Sequence, residues 1–310
     1  PLGDLSRSGL TAAHTIPYTP VQDTFSTEEE NLWLTRALLN TLILGRRAGL
    51  KVDMPREYSA WQDRPMLLLP SPLTSTERNL VHIHTIFWDE VREYVHKGGL
   101  VYASLCADTA IPEMADLFGV SLSDHTSASD ITLTFVKPFG EIATGKEFHF
   151  HANINNPRHW PATLEINGGT VLAVDQYGGP ALVSHTYGKG KTLLCAYPIE
   201  TYLAEIPDIY EHPEDSHLIL RGFAQVAGLK PAFETDAPGI EIASLVGSRR
   251  GYAVLANHQP ESRTVTITSR FEIDQISLIT PDGKHPLVLK DHNCILEIPA
   301  YGGAVLDWRL

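Results

Sequence analysis

Cysteine is scarce and unpatterned. The three present, Cys106, Cys195 and Cys294, are far apart and odd in number; this excludes a disulfide framework and reads as reduced core thiols in a cytoplasmic protein. No Asn-x-Ser/Thr sequon occurs, in agreement. No stretch approaches the roughly 18 apolar residues of a membrane-spanning helix and no signal-peptide pattern is visible, so no membrane partner is expected. Positive charge is also short: 24 Lys and Arg stand against 37 Asp and Glu, a net charge of −13. Nucleic acid and anionic membranes need clustered cation, so neither is expected as a partner. Internal repeats, low-complexity tracts and cofactor signatures are all lacking, and no cofactor is expected. The chain starts at Pro1 without an initiator methionine, which reads as a processed or cloned chain or a fragment of a longer one.

What is present suits a soluble chain with real cores: 43% of the 310 residues are hydrophobic and 20% charged, a length that predicts about two domains of ~150 residues. The most informative stretch runs from Asp89 to Gly119. Val91, Tyr94 and Val95 fall at i, i+3 and i+4 among charged residues, which predicts an amphipathic helix. Gly98-Gly99 ends it, the apolar run Leu100–Leu105 reads as a strand covered on both faces, and a short helix follows up to Leu117-Phe118-Gly119. That is one αβα step of an open sheet. Upstream, a capping box at Thr27–Glu30 starts a helix carrying Leu34, Leu38 and Leu42 and stopping near Gly49. Short strands are predicted at Leu50–Met54 and Met66–Leu69, and a second capping box at Thr74–Glu77 opens the helix that reaches Gly98. Helices separate these strands, so they should pair mostly in parallel.

From Ile131 the texture changes. Short segments bounded by Gly, Pro and Asn predict strands at Ile131–Val136, Phe148–Ala152, Thr163–Ile166, Val171–Asp175, Leu182–Tyr187 and Thr192–Tyr197, the last two joined by a hairpin turn at Tyr187–Lys191. A helix from about Ser216 to Ala227 closes at Gly228. About seven strands follow between Gly239 and Trp308; Val265 and Ile267 alternate with Thr264, Thr266 and Thr268, the mark of a half-buried strand, and Pro281-Asp282-Gly283 is a turn. The expected organisation is a lead-in segment over 1–25, an α/β domain over 26–233 and a small antiparallel β-sandwich over 234–310.

Several stretches together resemble a known family. Val91–Ser104, Met114–Val120 (MADLFGV), Tyr187–Glu200 (YGKGKTLLCAYPIE), Gly251–Ile267 and Ile298–Trp308 (IPAYGGAVLDW) are similar to the C-terminal region of family 42 glycoside hydrolases and related β-mannosidase-like enzymes. This region comprises the β-galactosidase trimerisation domain and the β-sandwich after it. The resemblance implies a flavodoxin-like domain, similar to class I glutamine amidotransferases, that follows a catalytic (β/α)8 barrel. It also implies a homo-oligomer, a saccharide substrate and one wall of a substrate cleft. Retaining glycosidases of this kind carry an Asn-Glu pair and a second glutamate about 5 Å away. None of the nine asparagines here precedes a glutamate, and the chain lacks the strand–helix repeats of a barrel. The implied role is therefore non-catalytic and structural, with the barrel on the same precursor or on a separate chain.

Three constellations invite chemistry. Cys106 with His212-Pro213-Glu214 matches the Cys and His-Pro-Glu of glutamine amidotransferases, which would make Cys106, His212 and Glu214 a catalytic triad. A nucleophile elbow wants small flanks, but Ser104 and Asp108 stand there, so a buried thiol beside an acidic loop is the plainer reading. His149 and His151 alternate on a predicted strand and face one way, as two metal ligands would. His82 and His84 fall in a helix and diverge. Finally, Arg158, His159 and Trp160 in the polar loop Asn153–Trp160, and Trp61 in the loop Tyr58–Pro65, are the candidate saccharide contacts; packing is the competing role for each tryptophan.

Overall fold

The computed structural model describes residues 11–14, 28–53, 61–72, 85–107, 109, 111, 114–207, 209, 214–229, 231–237 and 239–310. The fold is mixed α/β, built on one large sheet with smaller antiparallel sheets beside it. Five strands of the large sheet are parallel: β1 (Thr11–His14), β2 (Lys51–Asp53), β3 (Met66–Leu69), β4 (Leu100–Ser104) and β11 (Gly190–Cys195), in the order β2-β1-β3-β4-β11. Every residue of β3 and β4 is buried, as the unbroken apolar runs require of strands covered on both faces. The sheet continues antiparallel through β10 (Pro180–Tyr187), β9 (Thr170–Val174), β6 (Asp130–Phe135) and β7 (Glu147–His151). On the last two burial alternates: Ile131, Leu133 and Phe135 point inward from β6, and Phe148 and Phe150 from β7. The parallel pairing expected of the first part is present.

Helix α1 (Glu28–Arg47) and helix α2 (Thr85–Lys97) connect the early strands. Gly98, at φ 121°, ends α2: its N–H donates to the Val95 carbonyl and that of Gly99 to the Tyr94 carbonyl. Gly190 begins β11 because a Cβ there would collide with the carbonyl oxygens of Val95 and Gly99. Arg221, on α5 (His217–Val226), reaches the open carbonyl end of α1, its Nη2 lying 2.9 Å from the Arg47 oxygen, where a cation also suits the helix dipole. Three elements escaped the sequence reading. The strand predicted to reach Tyr197 ends at Cys195, and a short helix α4 (Ile199–Ala204) follows it; β1 falls in the expected lead-in segment; and β5 (Val120–His125) pairs with β8 (Ala162–Ile166) as a separate two-stranded ribbon. α3 (Met114–Phe118) is the expected short helix.

After β12 (Phe233–Thr235) come β13 (Ile240–Val246), β14 (Arg250–Asn257), β15 (Arg263–Ser269), β16 (Gln275–Thr280), β17 (Gly283–Pro286), β18 (Asn293–Ile298) and β19 (Gly303–Arg309). They form two antiparallel sheets, β12-β15-β18 and β13-β14-β19-β16-β17. Phe233, Val265, Ile267 and Leu296 from one sheet meet Ala253, Leu255, Leu306 and Trp308 from the other in one hydrophobic cluster. The core of the large sheet, from Leu44 to Ala224, is a separate cluster. Among the described residues no helix is long and apolar enough to cross a membrane.

Candidate functional site

In open α/β sheets the carboxyl ends of the parallel strands are where ligands bind. Here that end holds a buried polar cluster. Ser71, just past β3, takes φ 42°, a backbone conformation that side chains other than glycine rarely adopt. Its N–H donates to Ser104 Oγ at 2.9 Å, and the two hydroxyls lie 3.4 Å apart. From α4, Glu200 turns inward with 1% exposure and accepts the Tyr102 hydroxyl at 2.6 Å. Burial raises the Glu200 carboxyl pKa and that of the Cys195 thiol nearby. The cluster was legible in neither Ser71 nor Tyr102 as sequence; the one signal was a glutamate within the otherwise buried YPIE stretch.

Cys106 lies two residues past Ser104. It is fully buried, its N–H donates to Thr109 Oγ1 at 3.0 Å and its Sγ lies 3.3 Å from the same hydroxyl. The strained backbone sits at Ser71 instead. His212 and Asp108 lie outside the described residues, as do His82 and His84 and the helix start at Thr74. Glu214 leads into α5, where its Oε1 accepts the Ser216 N–H at 2.6 Å; burial raises its pKa.

The loop after β7 is built by its own side chains. Asn153 Oδ1 accepts the Asn155 N–H, and Asn156 Oδ1 accepts the N–H of half-buried Arg158. His159, expected as a cleft residue, is 1% exposed. Its Nδ1 accepts the Asn153 N–H at 3.0 Å, which leaves the proton on Nε2, 2.9 Å from Glu205 Oε1. Both ring nitrogens are thereby committed to holding the loop, and burial lowers the imidazole pKa. Trp160 is half-buried, its indole N–H donating to the Ile154 carbonyl at 2.9 Å. Trp61 is a core residue at 2% exposure, its ring 5.2 Å from both Phe87 and Tyr94; it presents no face to a sugar. Trp88 and Trp308 are buried, in line with their regular elements.

His149 and His151 share the outer face of β7, as period-two alternation predicts. His149 Nδ1 lies 3.1 Å from Thr132 Oγ1, and His151 Nδ1 lies 3.3 Å from Asp130 Oδ1. Among the described residues no group of three His, Cys, Asp or Glu is placed to hold a metal ion.

Known proteins resemble this chain in structure rather than in sequence. No family model matches it, and no curated protein sequence does. A catalytic mutant of Gan42B, a family 42 β-galactosidase from G. stearothermophilus, overlays 98% of the chain with a TM-score of 0.66 at 12% identity. The cold-adapted β-galactosidase from Rahnella sp. R3 overlays 97% with a TM-score of 0.64 at 14% identity. An α-L-fucosidase, isoenzyme 2 from Paenibacillus thiaminolyticus, overlays 97% with a TM-score of 0.62 at 13% identity. The chain spans less than half of each: 41%, 41% and 48% of their lengths respectively.

Proposed function

We propose that this chain is the non-catalytic, structural part of a retaining β-glycosidase of the β-galactosidase or β-mannosidase kind. In this reading residues 26–233 form a flavodoxin-like domain that self-associates, and 234–310 form a β-sandwich. The hydrolytic barrel is carried on the same precursor or on a second chain, and this unit supplies oligomer contacts and a wall of the saccharide cleft. One observation carries the reading: nearly the whole chain, 97–98%, overlays on only 41% of two β-galactosidases.

Further support comes from topology and sequence. Numbered by their sequence, the five parallel strands run 2-1-3-4-5 across the sheet, the flavodoxin order. The Asn-Glu pair expected of the acid/base catalyst does not occur in the sequence. All three cysteines are buried and outside any disulfide, which supports a cytoplasmic setting.

The test compares native with denatured mass, alongside turnover of nitrophenyl β-galactoside and β-mannoside. The expected result is a particle at a multiple of 34.2 kDa, or one holding a second, barrel-sized polypeptide, with no turnover by this chain alone. A monomer that hydrolyses either glycoside would overturn the reading.

A further inference from the structure

We propose that the outer face of the five-stranded sheet β13-β14-β19-β16-β17 is an interface with a second copy of this chain. Sandwich strands with one face in water alternate apolar-in and polar-out. The three-stranded sheet obeys this: its outward positions include Glu234, Thr264, Thr266, Thr268 and Glu297, with Ile295 the one large hydrophobe. The five-stranded sheet does not. Its inward positions bury Ala253, Leu255, Leu306 and Trp308, and much of the outward face between them is apolar as well. The register sets Leu245 beside Tyr252, and places Ala243, Val254, Val305 and Ile279 in one row across four strands. Leu245 is 61% exposed and Val254 43%. A contiguous apolar patch on a folded chain marks an interaction surface.

Charge, shape and area point to a second copy as the occupant. Asp307, outward on β19 and 5% exposed, is held by Arg250 Nε at 2.7 Å and by the Lys284 ammonium. Glu241, toward the far end of the face, pairs with Arg46 Nη1 at 3.3 Å and His258 Nε2 at 3.1 Å. Both carboxylates find cations within this chain, so they can be covered without a charged group from the partner. Leu245 and Tyr252 raise the end of the face near the β13–β14 turn, whereas Ala256 beside Gly303 leaves the other end low. A twofold axis along the row of Val254 and Val305 sets Tyr252 of each copy over Ala256 of the other. That is the reciprocal contact a closed dimer requires. Five strands about 4.8 Å apart and four rows about 7 Å apart outline roughly 600 Å². Two copies then cover about 1,200 Å², the size of a specific interface. This contact lies on 234–310, apart from the self-association proposed for 26–233, and does not depend on the glycosidase reading.

The experiment measures the native mass of the full chain and covalent capture across the axis. The wild type should form a particle with an even number of 34.2 kDa chains, and Val254→Lys should halve its mass. Thr266→Lys, on the polar outer face of the other sheet, should leave the mass unchanged. All three native cysteines are buried, so a short bismaleimide should link Val254→Cys to a second copy and double its denatured mass, while Thr266→Cys stays single. A mass that Val254→Lys leaves unchanged, a Val254→Cys chain that stays single, or a wild type with an odd number of chains would each overturn the proposal. So would release of a different polypeptide by Val254→Lys. Unfolding curves show whether Val254→Lys is folded; if it is not, capture of Val254→Cys decides alone. Failure of the separate contact at 26–233 looks different: it leaves a plain dimer that Val254→Lys reduces to a monomer.

Discussion

The two halves of the large sheet use opposite strategies. In the parallel half, β3 and β4 bury every residue, and the polar groups at their carboxyl end are sealed inside: Ser71, Ser104 and Glu200 are each 1% exposed or less. In the antiparallel half the outer strands β6 and β7 bury only one face, and the other displays Asp130, His149 and His151. Among the described residues, the polar side chains at the end of the sheet that convention marks for ligands are therefore buried, while the outer added strands carry exposed polar ones. Position in a fold suggests where a site belongs, but here burial moves the search to the strands added beyond β11.

The sharpest way to break this comparison is to cut equally into both halves. Leu68→Ala empties a wholly buried position on β3 and should lower unfolding free energy by about 2–5 kcal/mol. His149→Ala, on the open face of β7, should change it by no more than about 0.5 kcal/mol. Denaturant midpoints measure both, and similar losses would mean that the β7 face is covered. Between these extremes stands His159→Ala. It removes a buried ring packed on Tyr202 and two hydrogen bonds that hold the loop after β7, so a loss of about 1–3 kcal/mol is expected. Because burial lowers the His159 pKa below the ordinary imidazole value of 6.5, the neutral ring is the folded form. Its contribution is present above pH 6.5 and is lost as pH falls through the folded pKa, so the gap between wild type and variant should narrow on acidification.

How much of this was readable depended on which side chains carried the signal. Continuous apolar runs announced β3 and β4, bounding Gly, Pro and Asn announced β6 and β7, alternation announced β15, and Gly98 and Gly228 marked where helices stop. The order of strands within the sheet and the ribbon of β5 with β8 are long-range pairings, which no local pattern encodes. The candidate site was less legible for the same reason. Loop tryptophans drew attention as sugar platforms, yet Trp61 found partners in Phe87 and Tyr94, from an element some 25 residues onward. The sequence Asp-Gln-Tyr-Gly-Gly reads as a turn, and it is one; the bonds that tie Gln176 to β6 are again long-range.

Two smaller effects refine the contrast between sealed and open polar groups. Glu200→Gln keeps an acceptor for the Tyr102 hydroxyl and removes the charge. Burial raises the Glu200 pKa above the ordinary carboxyl value of 4.5. In the wild type the unfolded chain therefore ionises first, and stability falls as pH rises above 4.5 until the folded carboxyl also ionises. The variant should match the wild type near pH 4 and gain on it toward pH 8. A gap that does not depend on pH would place Glu200 in contact with water or a cation.

Trp61→Phe should have the smallest effect. Among the described residues the indole N–H of Trp61 has no partner, so phenylalanine gives up ring volume but relieves an unsatisfied buried donor. A net change under about 1.5 kcal/mol follows, with no change in oligosaccharide affinity. The same substitution deletes one of five tryptophans, so fluorescence reports whether the lost emission was the blue-shifted kind of a dry core. Weaker oligosaccharide binding by this variant than by the wild type would instead return Trp61 to the surface and undo the contrast between sealed and open groups.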